Sequence, residues 1–159
     1  MTEPKWLTEA RKYIGTREFK GPNHNPLIVQ FWKDIRRGGI KDDETAWCAA
    51  YVGAMFERTG IRSSRFESAK SYLEWGAPLD APMYGCVVVF SRNGGGHVGF
   101  VVGQTPDNDL LVLGGNQSDA INIRAFPRIR VVGYRWPVGE PVDKRLLPMM
   151  NAVVSERES

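Results

Sequence analysis

The sequence has few cysteines and histidines, the residues that form disulfides and most zinc sites. Its 159 residues include only two cysteines, Cys48 and Cys86, and two histidines, His24 and His97. These numbers are too small for a disulfide-stabilised scaffold, and too small for a zinc site of the usual paired spacing. We therefore expect at least one free thiol, and neither a bound metal nor another cofactor.

Long apolar runs and blocks of like charge are also missing. No stretch has about 18 uninterrupted apolar residues, and the segment 1–6 has neither the basic start nor the apolar run of a secretory signal. We therefore expect synthesis in the cytoplasm without stable membrane insertion. The net charge of +3 comes from Lys and Arg spread along the chain, which is compatible with an acidic partner but does not require one.

The spacing of apolar residues changes along the chain, within a length and composition that suit one domain with a substantial core. The first half has helical spacing and predicts helices over 6–14, 27–35, 46–56 and 68–75. Short β-rich runs after Pro82 predict strands at 86–90, 98–102, 110–113, 121–125 and 131–136. This order indicates an α+β domain over 1–137, in which N-terminal helices pack on a five- or six-stranded antiparallel sheet. Residues 138–159 are expected to form a surface tail with at most one helical turn.

Cys48 falls in the first turn of the third predicted helix. The positive end of the helix dipole and the unpaired amides of that turn favour a thiolate, as a nucleophile requires. A buried and unreactive cysteine fits this helix equally well. Cys86 opens an apolar run and is therefore expected to be buried. A disulfide between Cys48 and Cys86 would block catalysis, and a reducing compartment disfavours it.

His97 lies at the mouth of a predicted strand, directly after a glycine-rich loop. If 98–103 and 110–115 pair as a hairpin that turns at Pro106–Asp107, His97 lies opposite Asn116, with their Cβ atoms about 5 Å apart. An amide oxygen there can accept the Nδ1 proton, which leaves the other ring nitrogen to take a proton from a thiol. We therefore predict that Asn116 orients His97.

Cysteine, histidine and asparagine occur in the order that papain-type thiol hydrolases use, on a helix start and two adjacent strand ends. Four segments, 43–50, 96–100, 113–117 and 133–137, resemble small phage and bacterial cell-wall hydrolases related to the CHAP and NlpC/P60 domains. The similarity runs from about residue 6 to residue 137. It implies a papain-like fold and hydrolysis of an amide bond in peptidoglycan, by an N-acetylmuramoyl-L-alanine amidase or a peptide-stem endopeptidase. By motif position, Cys48, His97 and Asn116 take the catalytic roles.

Several neighbouring residues are candidates for binding the substrate. The main-chain amide of Cys48 is the first expected oxyanion donor, and Gln117 and the segment 43–45 are candidates for the second. Aromatic residues at helical spacing either line a groove for sugar and peptide or belong to the core, which is the commoner role. The full set of expected substrate contacts is Asp43, Trp47, Tyr72, Trp75 and Gln117.

The acidic segment 42–44 has two interpretations. It lacks the alternating oxygen ligands of a calcium loop, so helix capping is the better interpretation.

The resemblance, together with the apparent lack of a signal or a wall-binding repeat, predicts a single-domain, monomeric phage endolysin. It would reach peptidoglycan through a holin-type pore or after lysis. A secreted antibacterial effector is the alternative within the same chemistry. The rival class is a non-catalytic basic module for wall polymer or nucleic acid, in which Cys48 and His97 only pack. Because that class leaves the order of Cys, His and Asn as coincidence, we expect no nucleic-acid partner.

Overall fold

The computed structural model of the protein describes residues 3–19, 23–40, 46–92 and 95–150. Its helices are α1 (Lys5–Arg11), α2 (Pro26–Asp34) and α3 (Cys48–Arg58), followed by a 3₁₀ helix at Ala69–Glu74. The first three correspond to predicted helices, although α3 begins at Cys48 and not at Ala46. The fourth predicted helix is the 3₁₀ segment. In the described ranges, no helix has the length and apolar character needed to span a membrane.

Six strands form a single antiparallel sheet in the order β1-β6-β2-β3-β4-β5. They are β1 (Ala77–Leu79), β2 (Val87–Arg92), β3 (Gly95–Gln104), β4 (Leu110–Gly114), β5 (Asn122–Phe126) and β6 (Val131–Trp136). The α+β class and the antiparallel sheet are therefore as predicted. The sequence did not predict β1, a three-residue edge strand that contains Pro78, a residue tolerated at a sheet edge.

Helix α3 is the centre of the core and packs against β3. Every residue from Cys48 to Phe56 is buried. Tyr51 and Phe56 place their rings 6.3 and 5.6 Å from the ring of Phe100 on β3. A helix that is apolar around its whole circumference needs neighbours on all sides, and α1 and α2 supply them. This packing holds the start of α3, and therefore Cys48, close to β3.

The β3–β4 hairpin follows the predicted register only in its middle. Phe100 pairs with Leu113 and Val101 with Val112, as predicted, but a bulge then shifts the pairing so that Gly103 lies opposite Leu111. Strand β4 ends at Gly114. The following residues turn back, with Asn116, Ser118 and Asp119 at φ values of 58°, 55° and 61°. The predicted pair of His97 with Asn116 is therefore not formed.

Part of the predicted C-terminal tail packs on the domain. The amide of Gln104, at the end of β3, donates to Pro148 O, and the Met150 amide donates to Gln104 O, both at 2.9 Å. Leu147 packs against the core. The Arg145 guanidinium lies 4.3 Å from the centre of the Tyr84 ring. Residues 138–150 contain no helical turn.

Candidate active site

Cys48 is the first residue of α3 and is only 5% exposed. Burial raises the pKa of its thiol, and this effect outweighs the opposing hydrogen bonds from the main-chain amides of Val98 and Ala49 to the sulfur. The sequence-based expectation of a thiolate is therefore wrong for the resting protein. The loss of hydration destabilises a buried thiolate more than the amides of the first helical turn stabilise it.

His97 is fully buried near the start of β3. Its ring stacks with those of Phe90 and Phe126, at centroid distances of 6.3 and 5.3 Å. Burial is the largest influence and lowers the pKa of His97 to about 4, against the opposing effect of a hydrogen bond with Gln117. At neutral pH the imidazole is therefore uncharged, which is the form that accepts a proton.

The structure brings Cys48 to the residue next to His97. The Val98 amide that donates to the Cys48 sulfur directly follows His97 along β3. His97 Nδ1 is buried and has no hydrogen-bond partner within residues 3–19, 23–40, 46–92 and 95–150. A thiol and a vacant imidazole nitrogen therefore occupy the same small region at the start of β3.

Gln117, and not Asn116, is the residue that contacts His97. Its Oε1 lies 2.9 Å from His97 Nε2. The prediction extended β4 through residue 116, whereas the turn after Gly114 brings the side chain of the following residue to the histidine. The amide also faces Nε2 where the prediction expected Nδ1. A cluster of turn-forming residues indicates in the sequence that the strand ends here: Gly114, Gly115, Asn116, Ser118 and Asp119.

Asn122, which the sequence did not single out, completes the surroundings of Gln117. The Gln117 Nε2 atom lies 2.9 Å from both Asn122 O and Asn122 Oδ1, and 3.3 Å from Val112 O. Asn122 Nδ2 donates to Gln117 O at 2.8 Å. Both side chains are buried. The Gln117 amide is fully engaged, so the expectations that it supplies the second oxyanion donor or contacts the substrate are not supported.

Two of the aromatic residues expected to contact substrate belong to the core. Trp47 is fully buried, and its Nε1 donates to Glu18 Oε1 at 2.6 Å. Its ring lies against Gly115, where a Cβ atom would come within 2.6 Å. Tyr72 is also fully buried, with its ring 5.2 Å from that of Trp75. Burial removes Trp47 and Tyr72 from contact with a ligand. Asp43, with the rest of the acidic segment, lies outside the described residues.

Two open cavities have linings that include a neighbour of Gly96 on β3, but neither lining includes Cys48 or His97. The first, of about 720 Å³, includes Trp75 and Lys70 in its lining together with several serines. The Lys70 side chain lies beside Gly96, where a Cβ atom would be 3.1 Å from Lys70 Cγ. The second, of about 630 Å³, is lined by Ser91, Arg92, Ile129 and Arg130. Ser91 pairs with Gly96 across the β2–β3 ladder, so one lining residue of each cavity is a neighbour of Gly96.

Residues 40–116 match the CHAP domain family. The matched segment includes Cys48 and His97, and Gln117 follows its last residue. The α+β fold with its six-stranded antiparallel sheet is compatible with this similarity to the CHAP domain. CHAP domains are usually cysteine- and histidine-dependent hydrolases, so the match implies amidase or peptidase activity on peptidoglycan. A search of curated proteins found no match.

Proposed function

We propose that this CHAP-domain protein cleaves an amide bond of peptidoglycan through a thiol mechanism, with Cys48 as the nucleophile and His97 as the general base. One observation carries the proposal. The Cys48 sulfur at the start of α3 accepts the amide hydrogen of Val98, next to a neutral histidine whose Nε2 is held by Gln117. A nucleophile, a base and a group that orients the base are the parts that thiol hydrolysis needs.

The resting pair favours general-base catalysis over a preformed ion pair. Burial raises the pKa of the Cys48 thiol and lowers that of His97, so both groups are uncharged at neutral pH. His97 then takes the thiol proton as the sulfur attacks the carbonyl carbon of the substrate amide. The oxyanion forms near the main-chain amide of Cys48, at the start of α3.

Collapse of this intermediate breaks the carbon–nitrogen bond. His97 gives the proton to the leaving amine, and the acyl group stays on Cys48 as a thioester. His97 then removes a proton from water, which attacks the thioester, and the protonated sulfur leaves. The products are a free amine and a carboxylic acid, and the enzyme returns to its neutral pair.

The two cavities whose linings contain Lys70 and Ser91 support a substrate that is both polar and charged. Trp75 and the serine hydroxyls of the larger cavity suit a sugar or peptide surface. Arg92 and Arg130 of the second cavity suit the carboxylates of a peptide stem. A muramoyl–L-alanine bond and a stem-peptide bond both fit this chemistry, so the activity is that of an N-acetylmuramoyl-L-alanine amidase or an endopeptidase.

Mass spectrometry of fragments released from purified peptidoglycan tests the proposal. New free lactyl carboxyls with L-alanine amines indicate an amidase, and cleaved stems or bridges indicate an endopeptidase. Cys48→Ala should abolish release, whereas Cys86→Ser is the matched control and should retain it, because Cys86 is fully buried. Equal release by Cys48→Ala would exclude the thiol mechanism, and no release by the wild type would exclude the substrate.

The route to the cell wall is a separate proposal. We propose an endolysin that reaches peptidoglycan through a holin-type pore or after lysis, with a secreted antibacterial effector as the alternative. The protein is expressed in a susceptible bacterium with and without a co-expressed holin. Lysis only with the holin supports the endolysin, whereas killing of neighbouring cells by a secreting strain supports the effector.

A further inference from the structure

Asn122 and Gln117 each constrain the orientation of the other's amide. Asn122 Nδ2 lies 2.8 Å from the main-chain oxygen of Gln117, which can only accept a hydrogen bond. The Asn122 amide must therefore keep its nitrogen on that side. Its oxygen then faces the side-chain nitrogen of Gln117 at 2.9 Å. A flipped Asn122 amide would place its oxygen against Gln117 O and its nitrogen against Gln117 Nε2.

The Gln117 amide is fixed in turn. Its nitrogen faces Asn122 Oδ1 and the main-chain oxygens of Asn122 and Val112, at 2.9, 2.9 and 3.3 Å. Rotating this amide by half a turn would place Oε1 against three oxygens. It would leave buried acceptors without donors, which costs about 1–3 kcal/mol for each group. Oε1 is therefore the atom that stays toward His97.

We propose that Asn122 is a positioning residue, which locks the Gln117 amide and so makes His97 carry its proton on Nε2, with Nδ1 left free as the base. An amide oxygen can only accept, so the ring nitrogen 2.9 Å away must donate. A neutral imidazole has one N–H group, which leaves the lone pair on Nδ1. The catalytic use of that lone pair rests on the proposed function, whereas the tautomer does not.

The vacant state of Nδ1 agrees with this assignment. It is buried and has no hydrogen-bond partner in the described part of the chain, and the Cys48 sulfur is bonded to the amide of the next residue in β3. If His97 carried its proton on Nδ1, Nε2 and Gln117 Oε1 would face each other as two acceptors. The lock prevents this arrangement before any substrate is present.

Nitrogen-15 NMR of the full chain labelled in its histidine rings tests the proposal. The chain has two histidines, and His24→Ala identifies the His97 signals. The wild type at neutral pH should show a protonated Nε2, with slow hydrogen exchange, and an unprotonated Nδ1. In Asn122→Leu, the Nε2–H signal should be lost to rapid exchange, while Asn116→Gly, which tolerates the positive φ at that position, should keep it.

Asn122→Asp is a second variant that preserves the shape of the site. A protonated aspartic acid can donate to Gln117 O and accept from Gln117 Nε2, so the Nε2–H signal should be present at low pH. It should be lost as the carboxyl ionises at higher pH, while the wild-type signal persists over that interval. The ionised carboxylate would still accept from Gln117 Nε2 but would face Gln117 O as a second acceptor, so the loss of the Nε2–H signal should follow the displacement of Gln117 from His97.

The outcomes separate this proposal from the proposed function. A proton on Nδ1 in the wild type overturns the proposal, as does an Nε2–H signal with wild-type exchange in folded Asn122→Leu. If the wild type shows the expected tautomer but releases no peptidoglycan fragments, the proposed function fails and the positioning role of Asn122 stands.

Discussion

Gly114 and Gln117 fit so closely that a Cβ atom on Gly114 would overlap the amide oxygen of Gln117. The same atom would lie 3.4 Å from His97 Nε2. The last residue of β4 therefore has to be glycine for the Gln117 amide to reach the histidine.

Gly114→Ala should displace the Gln117 amide and misorient His97. Because a positioned general base contributes at least about 10²-fold to the rate, we expect kcat on purified peptidoglycan to fall by about that factor. Gly95→Ala is the matched control on β3, since its Cβ would meet no atom of the described residues within 4 Å. Equal losses in the two variants would contradict the role assigned to Gly114.

Gln117→Glu should lower activity, although a carboxylate is a stronger acceptor for the histidine proton. One carboxylate oxygen would face the oxygens of Val112 and Asn122, where the glutamine now donates. We expect the free energy of unfolding to fall by about 1–3 kcal/mol. Urea titrations and kcat should show a smaller effect for Asn116→Asp. Higher activity in Gln117→Glu would show that the amide is not required.

The two thiols should differ in alkylation, but both should react slowly. Burial raises the pKa of Cys48, and raises that of Cys86 to about 12. Cys86→Ser retains only Cys48, and iodoacetamide near pH 8 should label it more slowly than a free cysteine peptide, with a rate that increases with pH. Cys48→Ala retains only the fully buried Cys86 and should stay unlabelled. Rapid labelling of Cys48 that does not change between pH 6 and 8 would indicate a preformed ion pair.

His97 should make the fold less stable in mild acid. Its pKa is lowered to about 4 by burial, whereas an unfolded histidine titrates near 6.5, so between these values the unfolded state binds more protons. This contribution to stability is complete above about pH 6.5 and is lost as the pH falls through about 4. The loss should reach about 3 kcal/mol in urea titrations. His97→Leu, which cannot titrate, should flatten this part of the curve, and an unchanged slope would contradict the burial of a neutral histidine.

The sequence predicted the elements of the site better than it predicted their ends. Apolar spacing located α3 and β3, and so placed Cys48 and His97 at a helix start and a strand start. The pattern could not show how deeply either is buried, because burial depends on α1 and α2 packing around α3. The protonation states of both groups follow from that packing. Helix position alone predicted a lowered pKa for the Cys48 thiol, whereas burial raises it.

The third member of the site depended on where β4 ends. A hairpin register predicts partners only while both strands stay extended, and it held at Phe100 with Leu113. Beyond Gly114 the backbone adopts positive φ values at residues that are not glycine, and one reversed residue changes which side chain faces inward. For this reason Gln117, and not the predicted Asn116, contacts His97. Asn122 was missed because its role depends on a turn that brings two amides together.

The hydrogen bonds of Gln104 with residues 148–150 affect where this protein can be truncated or fused to another sequence. The segment closes against the end of β3 opposite His97, so a chimaera whose junction lies at Pro137 would discard backbone hydrogen bonds of the longest strand. A junction placed beyond Met150 keeps them. These hydrogen bonds favour a junction beyond Met150, although the residues that resemble cell-wall hydrolases end before residue 148.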